Sequence, residues 1–266
     1  MIRDITLGQY YPAESPIHRL DPRVKITATL LFIIELFIVD NFPGFAICAA
    51  VLGAVILVSR VPLKFIMRGM KPILFILFFT FALNIFMVKG EVIWELGFLH
   101  ITKEGIRIAV FMAVRLVLLI MGSSMLTLAT KPLNLTDGME RMLSPFAKLG
   151  FPAHEIAMMM TIALRFIPTL LEETDKIMKA QQARGADFES GNIIRRAKAL
   201  IPVLVPLFVS AFRIAQDLAM AMEARCYRGG SGRTRLHEMK LKTRDIVAFI
   251  LEAAFLVLII LEARYF

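Results

Sequence analysis

The chain has 266 residues, of which 58% are apolar and 20% are charged, and its mean hydropathy is +0.69. Soluble domains are closer to half apolar and a quarter charged, so this composition excludes an ordinary soluble fold. The formal net charge of +9 would suit nucleic acid, but in a membrane protein a basic excess usually marks cytoplasmic loops. The two cysteines, Cys48 and Cys226, form no CxxC pair, so neither a disulfide framework nor a zinc site is expected.

Asp21 and Pro22 predict where the first helix begins. Aspartate is favoured at an N-cap because its carboxylate accepts a backbone N–H, and proline is favoured in the first turn because its missing N–H needs no partner there. The residues up to this point mix acidic, basic and turn-forming types without an apolar core. They are therefore not expected to be a signal peptide.

Five apolar runs approach the length of roughly 17 to 25 residues that crosses a bilayer core. They are 24–39, 43–59, 72–88, 105–130 and 246–261. Two further runs, 151–171 and 200–218, are ambiguous because charges or prolines interrupt them. In 200–218 the favourable free energy of inserting the apolar residues into a membrane nearly cancels the cost of inserting Arg213 and Asp217. That cost is about 2.5 to 3.5 kcal/mol for each residue at a helix centre. That helix either spans the bilayer or lies at its inner surface.

Lysine and arginine counts predict the orientation, because basic loops stay cytoplasmic. Segment 60–71 carries four basic residues and no acid, so it is predicted to lie inside. Segment 40–44 has no basic residue and segment 89–105 mixes both signs, so both are predicted to lie outside. Segment 131–244 carries 18 basic and 11 acidic residues and is predicted to be cytoplasmic. Five spans then place the N-terminus inside and the C-terminus outside.

The sequence lacks the motifs of several catalytic and cofactor-binding sites. No Gly-x-x-x-x-Gly-Lys-Ser/Thr segment occurs, so neither a nucleotide-binding loop nor a cofactor is expected in this chain. The four histidines are dispersed, with no pair at ligand spacing on one helix face. No metal site is therefore expected, and no residue is predicted to be catalytic.

Away from the starts of the predicted spans, where Lys25 and Arg107 lie, the charged residues are Glu35, Arg115 and Glu252. Charges within a membrane often mark ion or proton pathways. A relay normally needs several such groups in register on different helices, and Glu35 and Glu252 lie where snorkelling or a partner subunit could satisfy them. An ion pathway stays open as the less favoured interpretation.

Two helices of the predicted cytoplasmic segment end in the same dipeptide, Ala-Arg. One ends at 183–185 (Ala-Arg-Gly), where the glycine suits the position after a helix end, and the other ends at 224–226 (Ala-Arg-Cys). A small residue lets another backbone approach, and the arginine fork can bond a carboxylate or carbonyls. Two equivalent ends predict two equivalent docking partners, although the helix dipole alone also favours arginine there.

Together with other short motifs along the chain, the two Ala-Arg pairs make the sequence resemble the transmembrane, or T, component of energy-coupling factor (ECF) vitamin importers. The resemblance covers nearly the whole chain, and its order and spacing make it specific although each motif is short. The segments that carry it are 18–25 (HRLDPRVK), 136–145 (TDGMERMLSP), 162–168 (IALRFIP), 182–185 (QARG) and 223–227 (EARCY).

The resemblance implies an all-α integral membrane protein, with about five transmembrane helices and a cytoplasmic helical coupling domain in an L-shaped arrangement. The chain would lie in a bacterial cell membrane, with the N-terminus and coupling domain cytoplasmic and the C-terminus outside. The predicted divisions are an N-terminal segment 1–23, four transmembrane helices in 24–130, a coupling-helix domain 131–244 and a last transmembrane helix 245–266.

The resemblance also implies partners. In the family, two Ala-Arg motifs end coupling helices that dock into grooves of two cytoplasmic ATPase subunits. A small membrane-embedded S component, one of several interchangeable ones in some systems, binds the vitamin and packs against the apolar surface. The chain would be a non-catalytic coupling subunit, with ATP bound by its partners and no nucleic acid involved. By position, one ATPase would contact Ala183, Arg184 and Gly185, and the other would contact Ala224, Arg225 and Cys226.

Two other function classes stay open. A permease of a conventional ATP-binding-cassette importer would line the translocation path itself, but such permeases usually dock through one coupling helix per chain. A secondary transporter or an intramembrane enzyme would rely on Glu35, Arg115 or Glu252.

Overall fold

The computed structural model describes residues 10–88, 90–96, 99–188, 192–229 and 240–265. By contacts they divide into two compact units, one within 10–138 and 240–265 and the other within 139–229. The elements, in chain order, are α1 (Pro22–Ile38), α2 (Phe42–Ser59), α3 (Leu63–Met70), α4 (Leu74–Met87), β1 (Val92–Leu96), β2 (Leu99–Thr102), α5 (Lys103–Ala129), α6 (Pro132–Leu143), α7 (Ala153–Ala183), α8 (Ile193–Ala224) and α9 (Thr243–Tyr265).

The predicted all-α membrane architecture is confirmed. Among the described residues, α2, α5, α7, α8 and α9 are each long and apolar enough to cross a bilayer, and α3 with α4 forms a sixth candidate span with a bend. Helix α1 has 17 residues, which is at the lower end of the length that spans. The candidates therefore number about five, as expected, but they include the two runs left ambiguous by sequence.

Helix α1 begins as predicted. The Asp21 carboxylate accepts the amide of Arg23 at 2.9 Å, and Pro22 occupies the first turn. The same end is joined to the start of α9, because the Asp21 amide donates to Asp245 Oδ1 at 2.8 Å. The other oxygen of Asp245 accepts the amide of Lys242 at 2.8 Å. This buried carboxylate therefore brings the first turns of α1 and α9 to one level.

The span predicted over 72–88 is bent, and it includes residues before the apolar run. The apolar run begins in a 3-10 turn over Lys71–Ile73, and α4 starts only at Leu74. The preceding basic segment, expected to be a loop, contains α3, and α3 meets α4 at 61°. Pro72 explains the break, because proline has no N–H to donate to the carbonyl four residues earlier and its ring crowds that carbonyl.

The core of the first unit is built by α1, α2, α3, α5 and α9. At Gly122 on α5, an added Cβ would lie 2.7 Å from the ring of Phe32 on α1. Glycine at this position therefore lets the aromatic ring pack against the α5 backbone. The buried cluster comprises Phe32, Leu36, Val39, Phe45, Cys48, Leu52, Ile56, Val61, Ile66, Leu118, Met125, Leu128, Phe255 and Ile259.

A short antiparallel hairpin, β1 with β2, joins α4 to α5 and was not predicted. Thr102 ends the hairpin and caps α5: its hydroxyl accepts the amide of Gly105 at 3.0 Å and donates to the carbonyl of Val88 at 2.8 Å. One threonine thus connects the end of α4 to the start of α5.

The second unit contains α7 and α8, which pack against each other. The helices have 31 and 32 residues, and both continue through internal prolines, at Pro168 in α7 and at Pro202 and Pro206 in α8. Both are therefore longer than the apolar runs 151–171 and 200–218 that indicated them. Their length and composition would allow them to cross a bilayer, whereas the basic excess of 131–244 favours a cytoplasmic position, which stays a prediction.

Candidate functional site

Helix α7 ends in a left-handed turn. The amide of Gly185 donates to the carbonyl of Gln182 at 2.9 Å. The amide of Ala186 reaches back to the carbonyl of Gln181, also at 2.9 Å. Gly185 has a φ of 89°. This pair of bonds around a left-handed residue is a Schellman C-cap, and Arg184 is the residue that precedes the turn.

Helix α8 ends in the same way. The amide of Cys226 donates to the carbonyl of Glu223 at 2.8 Å, and the amide of Tyr227 donates to the carbonyl of Met222 at 3.0 Å. Cys226 has a φ of 55°, so a cysteine takes the left-handed position that glycine takes at the first end. The two Ala-Arg dipeptides therefore have the same backbone hydrogen bonds as well as the same sequence.

Both ends are open to a partner. All six residues predicted to dock are exposed: Ala183, Arg184, Gly185, Ala224, Arg225 and Cys226. Within the part of the chain that the structure describes, no ion pair or side-chain hydrogen bond occupies either Arg184 or Arg225. Each guanidinium thus keeps all five of its donors available for another protein.

The two ends lie at opposite ends of the α7–α8 pair. Gln181, near the end of α7, donates through its side chain to the carbonyl of Pro202 at 3.3 Å. Just beyond α8, the Tyr227 hydroxyl donates to the sulfur of Met158 at 3.1 Å. The helices are therefore antiparallel, and a rise of about 1.5 Å per residue separates Met158 from Gln181 by roughly 35 Å along α7.

The chain is similar to known transport proteins over most of its length. A family model described as cobalt transport protein, CbiQ, matches residues 13–236. The energy-coupling factor transporter transmembrane protein EcfT of Thermosediminibacter oceani is 58% identical over 249 residues, covering 94% of each chain. The proteins of the same name from Ruminiclostridium cellulolyticum and Bacillus subtilis are 53% and 47% identical, covering 100% and 96% of this chain and 100% and 98% of their own.

The chain belongs to the EcfT family of energy-coupling factor transporter transmembrane proteins.

Membership of the EcfT family confirms the resemblance inferred from the motifs. It makes this chain a multi-pass transmembrane component of a multi-subunit transporter. A conventional permease that lines its own path and a secondary transporter are accordingly not favoured. In the second unit, both Ala-Arg helix ends have an exposed arginine and the same backbone hydrogen bonds.

The charged residues of the predicted spans occupy different environments. Arg115 donates to the carbonyl of Val39 at 2.6 Å and to Asp40 at 2.8 Å, so it is a helix-end contact. Glu35 is fully buried, and among the described residues neither of its oxygens has a hydrogen-bond partner. It therefore does not snorkel to the surface of the chain, which was one of the two ways in which it was expected to be satisfied. One oxygen of Glu252 is likewise buried without a partner in the described part.

Sequence reasoning found both arginines but missed what surrounds the second one. Cysteine has no preference for a left-handed backbone, so nothing in the sequence marked Cys226 as the counterpart of Gly185 in conformation. The contact of Tyr227 with Met158 was also missed, although Tyr227 belongs to the segment that carries the family resemblance. Only the spacing of the two Ala-Arg pairs indicated that the two ends form a set.

Proposed function

We propose that this chain is the coupling subunit of an ATP-driven importer and that it holds two ATPase subunits at once. One ATPase would bind the end of α7 through Arg184, and the other would bind the end of α8 through Arg225. The observation that carries the proposal is the repetition of one exposed, arginine-bearing Schellman end at both ends of an antiparallel helix pair.

The separation of the two ends supports two partners. Ends roughly 35 Å apart along α7 are too distant for one groove of the size that accepts a helix end. Each end offers a small residue for close approach and a free arginine fork for carboxylates or carbonyls. Two identical or related binding grooves on the partners fit the two repeated helix ends better than two unrelated partners do.

ATP hydrolysis is assigned to the partners. The chain has no phosphate-binding loop of the Gly-x-x-x-x-Gly-Lys-Ser/Thr type, and its proposed part is mechanical. Movement of each ATPase would push on a helix end, and the packed pair α7–α8 would carry that displacement as a rigid element. We therefore assign no catalytic residue and no bound cofactor to this chain.

The membrane-embedded S component would pack against apolar surface. In the first unit, α4 has no buried residue, and its Phe75, Phe78 and Phe79 are all more than half exposed. In the second unit, Met159 and Met160 are exposed on α7, and methionine side chains repack readily against different partners. Both surfaces suit an apolar partner, and the bound vitamin would be selected by that partner.

The proposed docking is tested by a double charge reversal, Arg184→Glu with Arg225→Glu. Both positions are exposed, so the chain should still insert into the membrane, while each new carboxylate would repel the groups that accept the arginine. The double variant is expected to lose copurification of both ATPases from mild detergent. Loss of one bidentate charged contact of this kind costs about 2 to 5 kcal/mol, which would reduce affinity at each end by more than tenfold.

The matched control is Arg165→Glu with Arg196→Glu. These arginines are also exposed, with one on α7 and one on α8, and the change in net charge is the same. The control should retain both ATPases. Equal retention by the two double variants would refute docking through Arg184 and Arg225.

A further inference from the structure

A polar cavity lies at the ends of α1 and α5 in the first unit. Its volume is about 260 Å³. Thr130 lines this cavity, and its hydroxyl is buried without a hydrogen-bond partner in the described part of the chain. Buried hydroxyls are nearly always bonded, so this oxygen calls for a polar ligand. The cavity's other polar lining residues include His18, Arg19, Lys25, Lys131 and Asn134.

An apolar groove of about 760 Å³ adjoins this cavity. It runs between α1, α2, α5 and α9, and its lining includes Ala28, Phe32, Val55, Met125 and Phe255. Leu20, Lys25 and Ala129 line both spaces. The polar and apolar spaces therefore adjoin each other around Lys25, which suits a ligand with a polar head and an apolar tail.

The charge at the polar end is positive. Lys25 donates to the carbonyls of His18 at 3.0 Å and Ala129 at 2.8 Å, which leaves one of its three N–H donors available. Lys131 is exposed above the ring of Tyr10. The one acid among the residues that line the polar cavity, Glu14, is already paired with Arg19 at 3.2 Å.

His18 and Arg244 are the next two groups that affect the charge around the two spaces. Burial, together with the charge of Lys25, lowers the pKa of His18, so near neutral pH the cavity's charge comes from its lysines. At the mouth of the apolar groove, Arg244 has no ion-pair partner among the described residues. Cations thus line both spaces, and the lining of the groove is mostly apolar, with Glu252 as the one acidic residue among its described lining residues.

We propose that the two spaces form one binding site for an anionic phospholipid. Its phosphate would bind Lys25, Lys131 and the Thr130 hydroxyl, and an acyl chain would occupy the groove between α1, α2, α5 and α9. Basic pockets between transmembrane helices on the cytoplasmic side are suited to anionic headgroups. The groove's volume lies within the range of about 300 to 1,000 Å³ typical of ligand sites. The site is separate from the Ala-Arg helix ends.

The test uses the full chain in detergent, titrated with equal amounts of dioleoyl phosphatidylglycerol and dioleoyl phosphatidylcholine. Native mass spectrometry then measures how much of each lipid remains bound. The two lipids share acyl chains, so any selection reports the headgroup. Each basic residue near an anionic headgroup contributes about 1 kcal/mol, or roughly fivefold. We expect one phosphatidylglycerol per chain, preferred by about fivefold or more.

Two pairs of variants separate headgroup from tail. Lys131→Gln should reduce the preference for phosphatidylglycerol about fivefold, whereas Lys64→Gln, another exposed lysine that lines neither space, should not. Ala54→Phe fills the groove from α2 and should weaken retention of both lipids. Ala50→Phe, exposed on the same helix but outside the groove, should leave retention unchanged.

The opposite results overturn the proposal. Equal retention of the two lipids, or equal effects of Lys131→Gln and Lys64→Gln, would exclude a headgroup site. Displacement of phosphatidylglycerol by inorganic phosphate, with no effect of Ala54→Phe, would reassign the polar cavity to a free anion. Because these measurements need no ATPase, their failure would leave the docking proposal untouched, and the reverse also holds.

Discussion

At the residue scale, the third position of each Ala-Arg motif is defined by backbone conformation. Gly185 and Cys226 both have positive φ, at 89° and 55°. A left-handed conformation costs a residue with a Cβ roughly 1 to 2 kcal/mol, whereas glycine adopts it freely. The Ala-Arg end of α8 therefore keeps the backbone shape of the end of α7 in spite of an unfavourable residue. The sequence predicted the helix end at Gly185 but gave no sign of strain at Cys226.

Replacing Cys226 tests that strain. Cys226→Gly should stabilise the detergent-solubilised chain by about 1 kcal/mol, because the backbone strain disappears, and it should retain ATPase binding. Cys226→Ala removes the same thiol but keeps a Cβ, so it should not stabilise. Thermal unfolding of the two variants beside the parent chain measures the difference. Equal midpoints for the glycine and alanine variants would show that the left-handed turn carries no strain.

A substitution at Gly185, at the end of α7, should have the opposite effect. Gly185→Ala introduces a Cβ where φ is 89°, and no heavy atom lies within 4 Å of that Cβ, so any effect comes from the backbone alone. We expect a loss of about 1 to 2 kcal/mol and weaker binding of the ATPase at the end of α7. A midpoint unchanged from the parent would contradict a left-handed Gly185.

At the element scale, the sequence predicted helix starts better than helix continuity. Asp21 and Pro22 located the start of α1, because capping depends on local chemistry. Proline has opposite effects at two positions: the helix breaks at Pro72, whereas α7 continues through Pro168. Tertiary packing decides between them, since neighbouring groups determine whether the carbonyls freed by a proline find other partners. The apolar pattern alone could not distinguish a broken helix from a continuous one.

The packing of α1 on α5 depends on one glycine. Gly122→Ala would bring a methyl group to within 2.7 Å of the Phe32 ring, and overpacking of this kind costs about 1 to 3 kcal/mol. The control is Gly53→Ala on α2, where nothing lies within 4 Å and the better helix propensity of alanine should be neutral or favourable. Thermal unfolding in detergent should lower the midpoint only for Gly122→Ala. Similar midpoints for the two variants would mean that the ring moves aside freely.

At the scale of the whole molecule, composition and apolar runs predicted a membrane protein, and the short motifs predicted its family. Both predictions succeeded because they depend on properties spread over many residues, such as apolar length and the order of several segments. The cytoplasmic position of 131–244 stays a prediction, because α7 and α8 are apolar enough to cross a bilayer by themselves. Likewise, the sequence could not anticipate that the two arginine ends face opposite ways along one helix pair, which depends on how α7 and α8 pack.

The central claim is that one chain holds two ATPases, one at each Ala-Arg end. The most direct measurement is the mass of the intact complex purified through this chain, which counts ATPase subunits per chain. We predict two ATPases with the parent chain and with Arg165→Glu/Arg196→Glu, and none with Arg184→Glu/Arg225→Glu. A single ATPase per parent chain, or two retained by the Arg184→Glu/Arg225→Glu variant, would contradict the account.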